Sequence, residues 1–133
     1  MKQIFTILIL SFVTFECIAQ IYISTNLIQF AIFNEKTREY DLIGEKEEIT
    51  FFEFNKQFTF FKHTTPTITS AYTIKSSKED KVNERWEFDI MSDVGNSYYM
   101  ILDLKNNNIR FIYTKNGSIY LLQYSIKKLW FEE

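Results

Sequence analysis

Residues 85–124 read RWEFDIMSDVGNSYYMILDLKNNNIRFIYTKNGSIYLLQY, and the turns in this stretch decide the fold. Asn116-Gly117 is its strongest hairpin signal, because a type I′ turn needs φ > 0 at both central residues. A two-residue loop there sets Lys115 opposite Ser118. Counting outward then gives Tyr113/Tyr120, Phe111/Leu122 and Ile109/Tyr124 on one face. Closing Lys105-Asn106-Asn107-Asn108 as a four-residue loop sets Leu104/Ile109, Leu102/Phe111 and Met100/Tyr113 on that same face. Asp93-Val94-Gly95 fits a three-residue loop with Gly95 at the left-handed bulge position, giving Ile90/Tyr98, Phe88/Met100 and Trp86/Leu102. Three turns read separately therefore predict one apolar layer across four strands. It holds Trp86, Phe88, Ile90, Met100, Leu102, Phe111, Tyr113, Tyr120 and Leu122. A slip of one residue would flip every side chain and break that agreement.

The strand pattern continues upstream. Tyr72 and Ile74 are expected opposite Phe88 and Trp86 across a polar loop at 77–83, and Thr65-Pro66 marks a turn. Asn55-Lys56 reads as a tight hairpin, and the charged stretch 34–48 as a hairpin region with a short strand. Apolar residues recur with period two, and no window of the chain after residue 19 carries the i, i+3, i+4, i+7 spacing of a helix. The expectation is all-β: an antiparallel meander of seven or eight strands, closed into an up-and-down barrel, with a β-sandwich as the alternative. A small meander barrel resembles the lipocalin-like and avidin-like ligand binders in topology and length. That resemblance implies a small apolar ligand held inside the barrel. The Gly-x-Trp of a lipocalin first strand is not found.

The chain has 133 residues, 46% of them apolar and 18% aromatic, with only 3 Gly and 1 Pro, which excludes a disordered or fibrous chain. A net charge of −2 provides no basic field for nucleic acid. At the N-terminus, Met1-Lys2 precedes a 12-residue apolar run from Ile4 to Phe15, and Cys17 and Ala19 supply small residues at an A-x-A-like site. This is the layout of a signal peptide, residues 1–19, cleaved after Ala19, and it sends a single β domain, residues 20–133, to the periplasm or the exterior. Lipidation of Cys17 is the lesser alternative, since Glu16 stands where a small residue is usual. The mature chain then contains no cysteine, and none of its apolar runs approaches the ~20 residues of a membrane-spanning helix. Mass spectrometry of the native protein should find Gln20 at its N-terminus; an intact segment 1–19 would contradict the assignment.

Few residues offer chemistry. His63 is the only histidine, and the tight turn at Asn55-Lys56 sets it across from Glu48 as an exposed charge pair. Glu87, Asp89 and Arg85 share an outer face, and Asp103 falls opposite Arg110; these read as solvated pairs. The Asp93 and Asn106 loops lack EF-hand spacing, no G-x-S-x-G elbow exists, and no metal or cofactor is expected. Asn116-Gly117-Ser118 is formally a glycosylation sequon as well as a turn.

The unusual feature is an aromatic hairpin with six Phe between residues 51 and 61. One face carries Ile49, Phe51, Phe58 and Phe60, the other Phe52, Phe54 and Phe61. The second set is expected to face outward and bind a partner, with a bulge shifting that role to Phe51, Phe58 and Phe60. A further outer stripe is expected at Tyr99, Ile101, Ile112, Ile119 and Leu121. The functional expectation is a non-catalytic module that contacts a protein partner, or a second copy, through aromatic strand faces. A barrel holding a small apolar ligand ranks second and an enzyme last.

Overall fold

A computed structural model describes residues 20–132. Residues 1–19, expected to be a signal peptide, and with them Cys17, lie outside the described residues. Eight strands follow in order: β1 (Gln20–Asn34), β2 (Glu39–Phe54), β3 (Phe60–Thr64), β4 (Thr69–Asp80), β5 (Arg85–Ser92), β6 (Ser97–Asp103), β7 (Asn108–Lys115) and β8 (Ser118–Glu132). Each pairs antiparallel with the next, and β8 pairs back onto β1, so the meander closes as a barrel.

The two hairpins built on glycine turns match expectation residue for residue. Ile90↔Tyr98, Phe88↔Met100 and Trp86↔Leu102 join β5 to β6, and Tyr113↔Tyr120, Phe111↔Leu122 and Ile109↔Tyr124 join β7 to β8. Asn116 and Gly117 both have positive φ (52° and 81°), and Gly95 sits at φ 90°. Between β6 and β7 the pairing is displaced by two residues, to Leu102↔Ile109 and Met100↔Phe111. The cause is Asp103, whose carboxylate accepts bonds from the Asn106 backbone N–H (3.0 Å) and Nδ2 (2.9 Å). This draws the loop back to 104–107, with Asn107 left-handed at φ 56°. Because the displacement is even, the same side chains still face inward.

Two more turns are built alike, an Asp or Asn folding back on the loop that follows it. Asp80 accepts from Asn83 N–H and Nδ2 (3.2 and 2.8 Å), so β4 runs on to Asp80 and the expected loop at 77–83 shrinks to 81–84. Ile74 consequently pairs with Ile90 and Tyr72 with Ser92, and a bulge at Lys75 adjusts the register. Asn34 Oδ1 accepts from Lys36 and Thr37 N–H (2.9 and 3.3 Å), and β2 after that turn is a strand of 16 residues rather than a short one.

Aromatic rings pack across the middle of the barrel. Phe111 lies at its centre, with ring centroids 6.1 Å from Phe52, 6.5 Å from Phe61, 5.8 Å from Tyr72, 5.8 Å from Tyr98 and 5.7 Å from Tyr124. These contacts run from β7 across to β2, β3 and β4, so opposite walls touch ring to ring. Eight strands leave an interior that side chains alone can fill.

Candidate functional site

The aromatic hairpin is inverted relative to expectation. Phe52, Phe54 and Phe61 are each 0% exposed and belong to the core, so they do not form an outward contact surface. Phe54 stacks on Phe61 (4.9 Å) and lies 6.2 Å from Phe88. The opposite face is the outer one and carries Phe51, Glu53, Phe60 and Lys62, with Phe51 and Phe60 exposed. Phe51 and Phe60 share one face and Phe52, Phe54 and Phe61 the other, as expected, but inside and outside are reversed, and Phe58, expected with Phe51 and Phe60, joins the core side.

A longer loop explains the register. Asn55 Oδ1 accepts from Thr59 and Phe60 N–H (2.9 and 3.1 Å), and Phe58 N–H donates to the Asn55 carbonyl (3.1 Å). The connection is therefore five residues, 55–59, and Phe54 pairs with Phe61. Phe58 takes a left-handed φ of 55°, which costs a non-glycine residue about 1–2 kcal/mol. In return its ring turns inward against Trp86 (5.0 Å), Phe54 (5.7 Å) and Phe88 (5.7 Å).

The same loop moves His63. It pairs with Phe52, not Glu48, and its ring is buried. It stacks on Phe52 at 4.1 Å, meets Tyr124 edge-on at 5.0 Å, and shares a 3.2 Å hydrogen bond with Thr50 Oγ1, itself 2.6 Å from Thr25 Oγ1. Burial lowers its pKa to about 4 against a small opposing pull from Glu48. The imidazole is neutral, enclosed by aromatic rings and bonded to one hydroxyl: a core histidine. Glu48 pairs with Lys46 instead, at 3.0 Å.

The carboxylates are taken up in structural pairs on the outer face. Arg85 Nη2 meets Glu87 Oε2 at 3.1 Å, the Tyr99 hydroxyl donates to Glu87 Oε1, and the Ser76 hydroxyl donates to Asp89 at 2.9 Å. The Tyr99 bond holds Glu87 below its ordinary pKa; burial and Glu87 together push Tyr99 up to about 12. Asp103 faces Asn108 across the ladder, yet Arg110 reaches it diagonally at 2.7 Å. Asp103 is buried rather than solvated. Burial raises its pKa, but the Asn106 bonds and Arg110 outweigh burial and hold it low. Among the described residues, no three His, Cys, Asp or Glu side chains gather closely enough to hold a metal ion.

What does lie outward and apolar is a row along the far wall. Tyr99, Ile112 and Leu121 of the expected stripe are cross-strand neighbours, Tyr99↔Ile112 and Ile112↔Leu121. The ladder carries the row on through Ala31 to Leu42, which is 57% exposed. Along this row Tyr99 and Leu42 are exposed, Ile112 and Leu121 are half-buried, and Ala31 on β1 is covered between its neighbours. A shallow, open depression runs beside Tyr99, Ile112 and Thr114. Phe33 and Tyr40 flank the row, ring edge to face at 5.3 Å, and Ile119 lies beside it on β8. Ile101 shares the outer face by alternation but is covered. Beyond Tyr99 the surface turns polar at Asp89 and Ser76.

The sequence reading anticipated the β6–β8 part of this row and missed its extension onto β1 and β2. The pairing of β8 with β1 spans the whole chain and has no turn to announce it, and a bulge at Ile43 is what brings Leu42 outward beside Ala31. Comparison with protein-family models, with curated proteins and with solved structures found no match to the chain.

Proposed function

We propose that this is an exported, non-catalytic interaction module that docks a partner protein through its outward apolar row. One observation carries the reading: Tyr99, Ile112, Leu121 and Leu42 lie along one line of the outer wall, joined through the covered Ala31, without the charges that cover the wall at β4 and β5. Contiguous apolar surface on a soluble domain usually marks an interface. The filled interior leaves the small-ligand reading second. Export rests on the signal-peptide layout of residues 1–19.

The test is Leu42→Ser combined with Leu121→Ser. Leu42 is exposed and Leu121 half-buried on the outer face, so the barrel should stay folded with its melting free energy lowered by about 1–2 kcal/mol, mostly from Leu121. Proteins retained from the native envelope by the wild type should be lost, and any self-association seen in sedimentation should go with them. Equal retention by the double variant would overturn the proposal.

A further inference from the structure

The barrel closes through every strand, yet β2 is paired on only one side over three-quarters of its length. Residues 51–54 of β2 pair with β3; residues 39–50 pair with β1 and with nothing else among the described residues. β3 stops at Thr64, and the chain turns away at Thr65-Pro66. Residues 39–50 of β2 therefore offer a row of open backbone N–H and C=O groups, the kind of edge onto which an extended segment adds as another strand.

Its side chains choose the partner. The stretch EYDLIGEKEEIT, residues 39–50, holds five carboxylates and one lysine, although the whole chain nets only −2. Lys46 is already paired with Glu48. Among the described residues, Asp41 and Glu45 take their side-chain bonds from the neutral amides of Asn34 (2.9 Å) and Gln29 (3.1 Å), with no cationic partner within ion-pair distance. Two copies meeting at this edge would bring like charges face to face, an arrangement that disfavours pairing. An oppositely charged strand meets no such barrier. Between the acids stand exposed Tyr40, Leu42, Ile43 and Ile49, which offer apolar contact to alternate side chains of an added strand.

From this we infer that residues 39–50 of β2 are a strand-addition site for a basic, extended segment of a partner protein, one alternating Lys or Arg with apolar residues. It deepens the interaction reading by naming a backbone site and a partner chemistry next to the apolar row.

Amide NMR of the mature chain, titrated with a synthetic ten-residue peptide alternating lysine and valine, tests the inference. Shifts and slowed amide exchange are expected within 39–50, with affinity falling at least tenfold between 50 and 300 mM salt, about the loss expected for a few ion pairs. Glu45→Lys with Glu47→Lys, both exposed, should retain the spectrum of a folded barrel and lose binding about tenfold or more. A peptide of the same charge with alternate valines replaced by proline should bind no better than that variant. Equal binding by the proline peptide would reduce the effect to diffuse attraction and overturn strand addition. Absence of shifts in 39–50 would overturn it too, as would a dimer of the protein alone with those amides protected. Leu121→Ser alone separates the two surfaces, because Leu42 belongs to both: an intact edge response alongside unchanged partner retention by Leu121→Ser would reject the row and keep the edge.

Discussion

Phe111→Ala is expected to destabilise the barrel by about 3–5 kcal/mol, a large part of the roughly 5–15 kcal/mol that holds a small domain folded. Phe111 is 3% exposed and touches rings from five other strands. Removing it empties the point where opposite walls meet. A sheet cannot sag into that space as a loop could, because both neighbouring ladders, to Met100 and to Leu122, fix its backbone. Little relaxation means that most of the cavity cost is retained, on top of the lost transfer free energy. Urea melts with an unchanged m-value measure it; a loss below about 1 kcal/mol would show that Phe111 is not central to the interior.

The second large effect is on acid stability and comes from His63. Its pKa falls from 6.5 in the unfolded chain to about 4 in the barrel, chiefly through burial. In the window between those values the unfolded chain binds a proton that the native state refuses. Stability is therefore complete above pH 6.5 and is lost as pH falls toward 4, with about 2 kcal/mol gone by pH 5. Asp80, Glu87 and Asp103, held below their ordinary values in the native state, add losses at lower pH, so the histidine is isolated by difference. His63→Phe keeps the stack on Phe52, and Thr50 keeps Thr25 as its partner. The variant should lose about 2 kcal/mol less than wild type between pH 7.5 and pH 5. Parallel losses in the two proteins would place His63 in contact with water.

The contrast between these residues and the aromatic hairpin explains what could be read from sequence. The β5–β6 and β7–β8 turns carry glycine at the left-handed position and leave one answer for the register, while the glycine-free loop at 104–107 slips by two residues and so keeps Phe111 inside. Around Asn55 no glycine marks the turn, and Phe58 itself adopts the left-handed conformation, which composition gives no reason to expect. Both faces of the hairpin are aromatic, so period two could not choose the inside. A usable signal was present: Glu53 and Lys62 share the face of Phe51 and Phe60, and face each other across the strands. Charges on that face put Phe52, Phe54 and Phe61 in the core and carry His63 in with them. The polar run before Asp80 misled in another way, since strand residues open to water can be polar on both faces. Contacts between β8 and β1 join chain ends with no turn between them, and that is why the outer row could be read on β6, β7 and β8 but not on β1 and β2.

A photoactivatable benzophenone side chain placed at Leu121, and separately at Lys78 on the charged outer wall, tests most directly whether contact is made through the apolar row. Irradiated in the native envelope, the Leu121 protein should yield one discrete covalent adduct and the Lys78 protein none. Adducts of equal yield from both positions, or from Lys78 alone, would contradict the row as the contact surface.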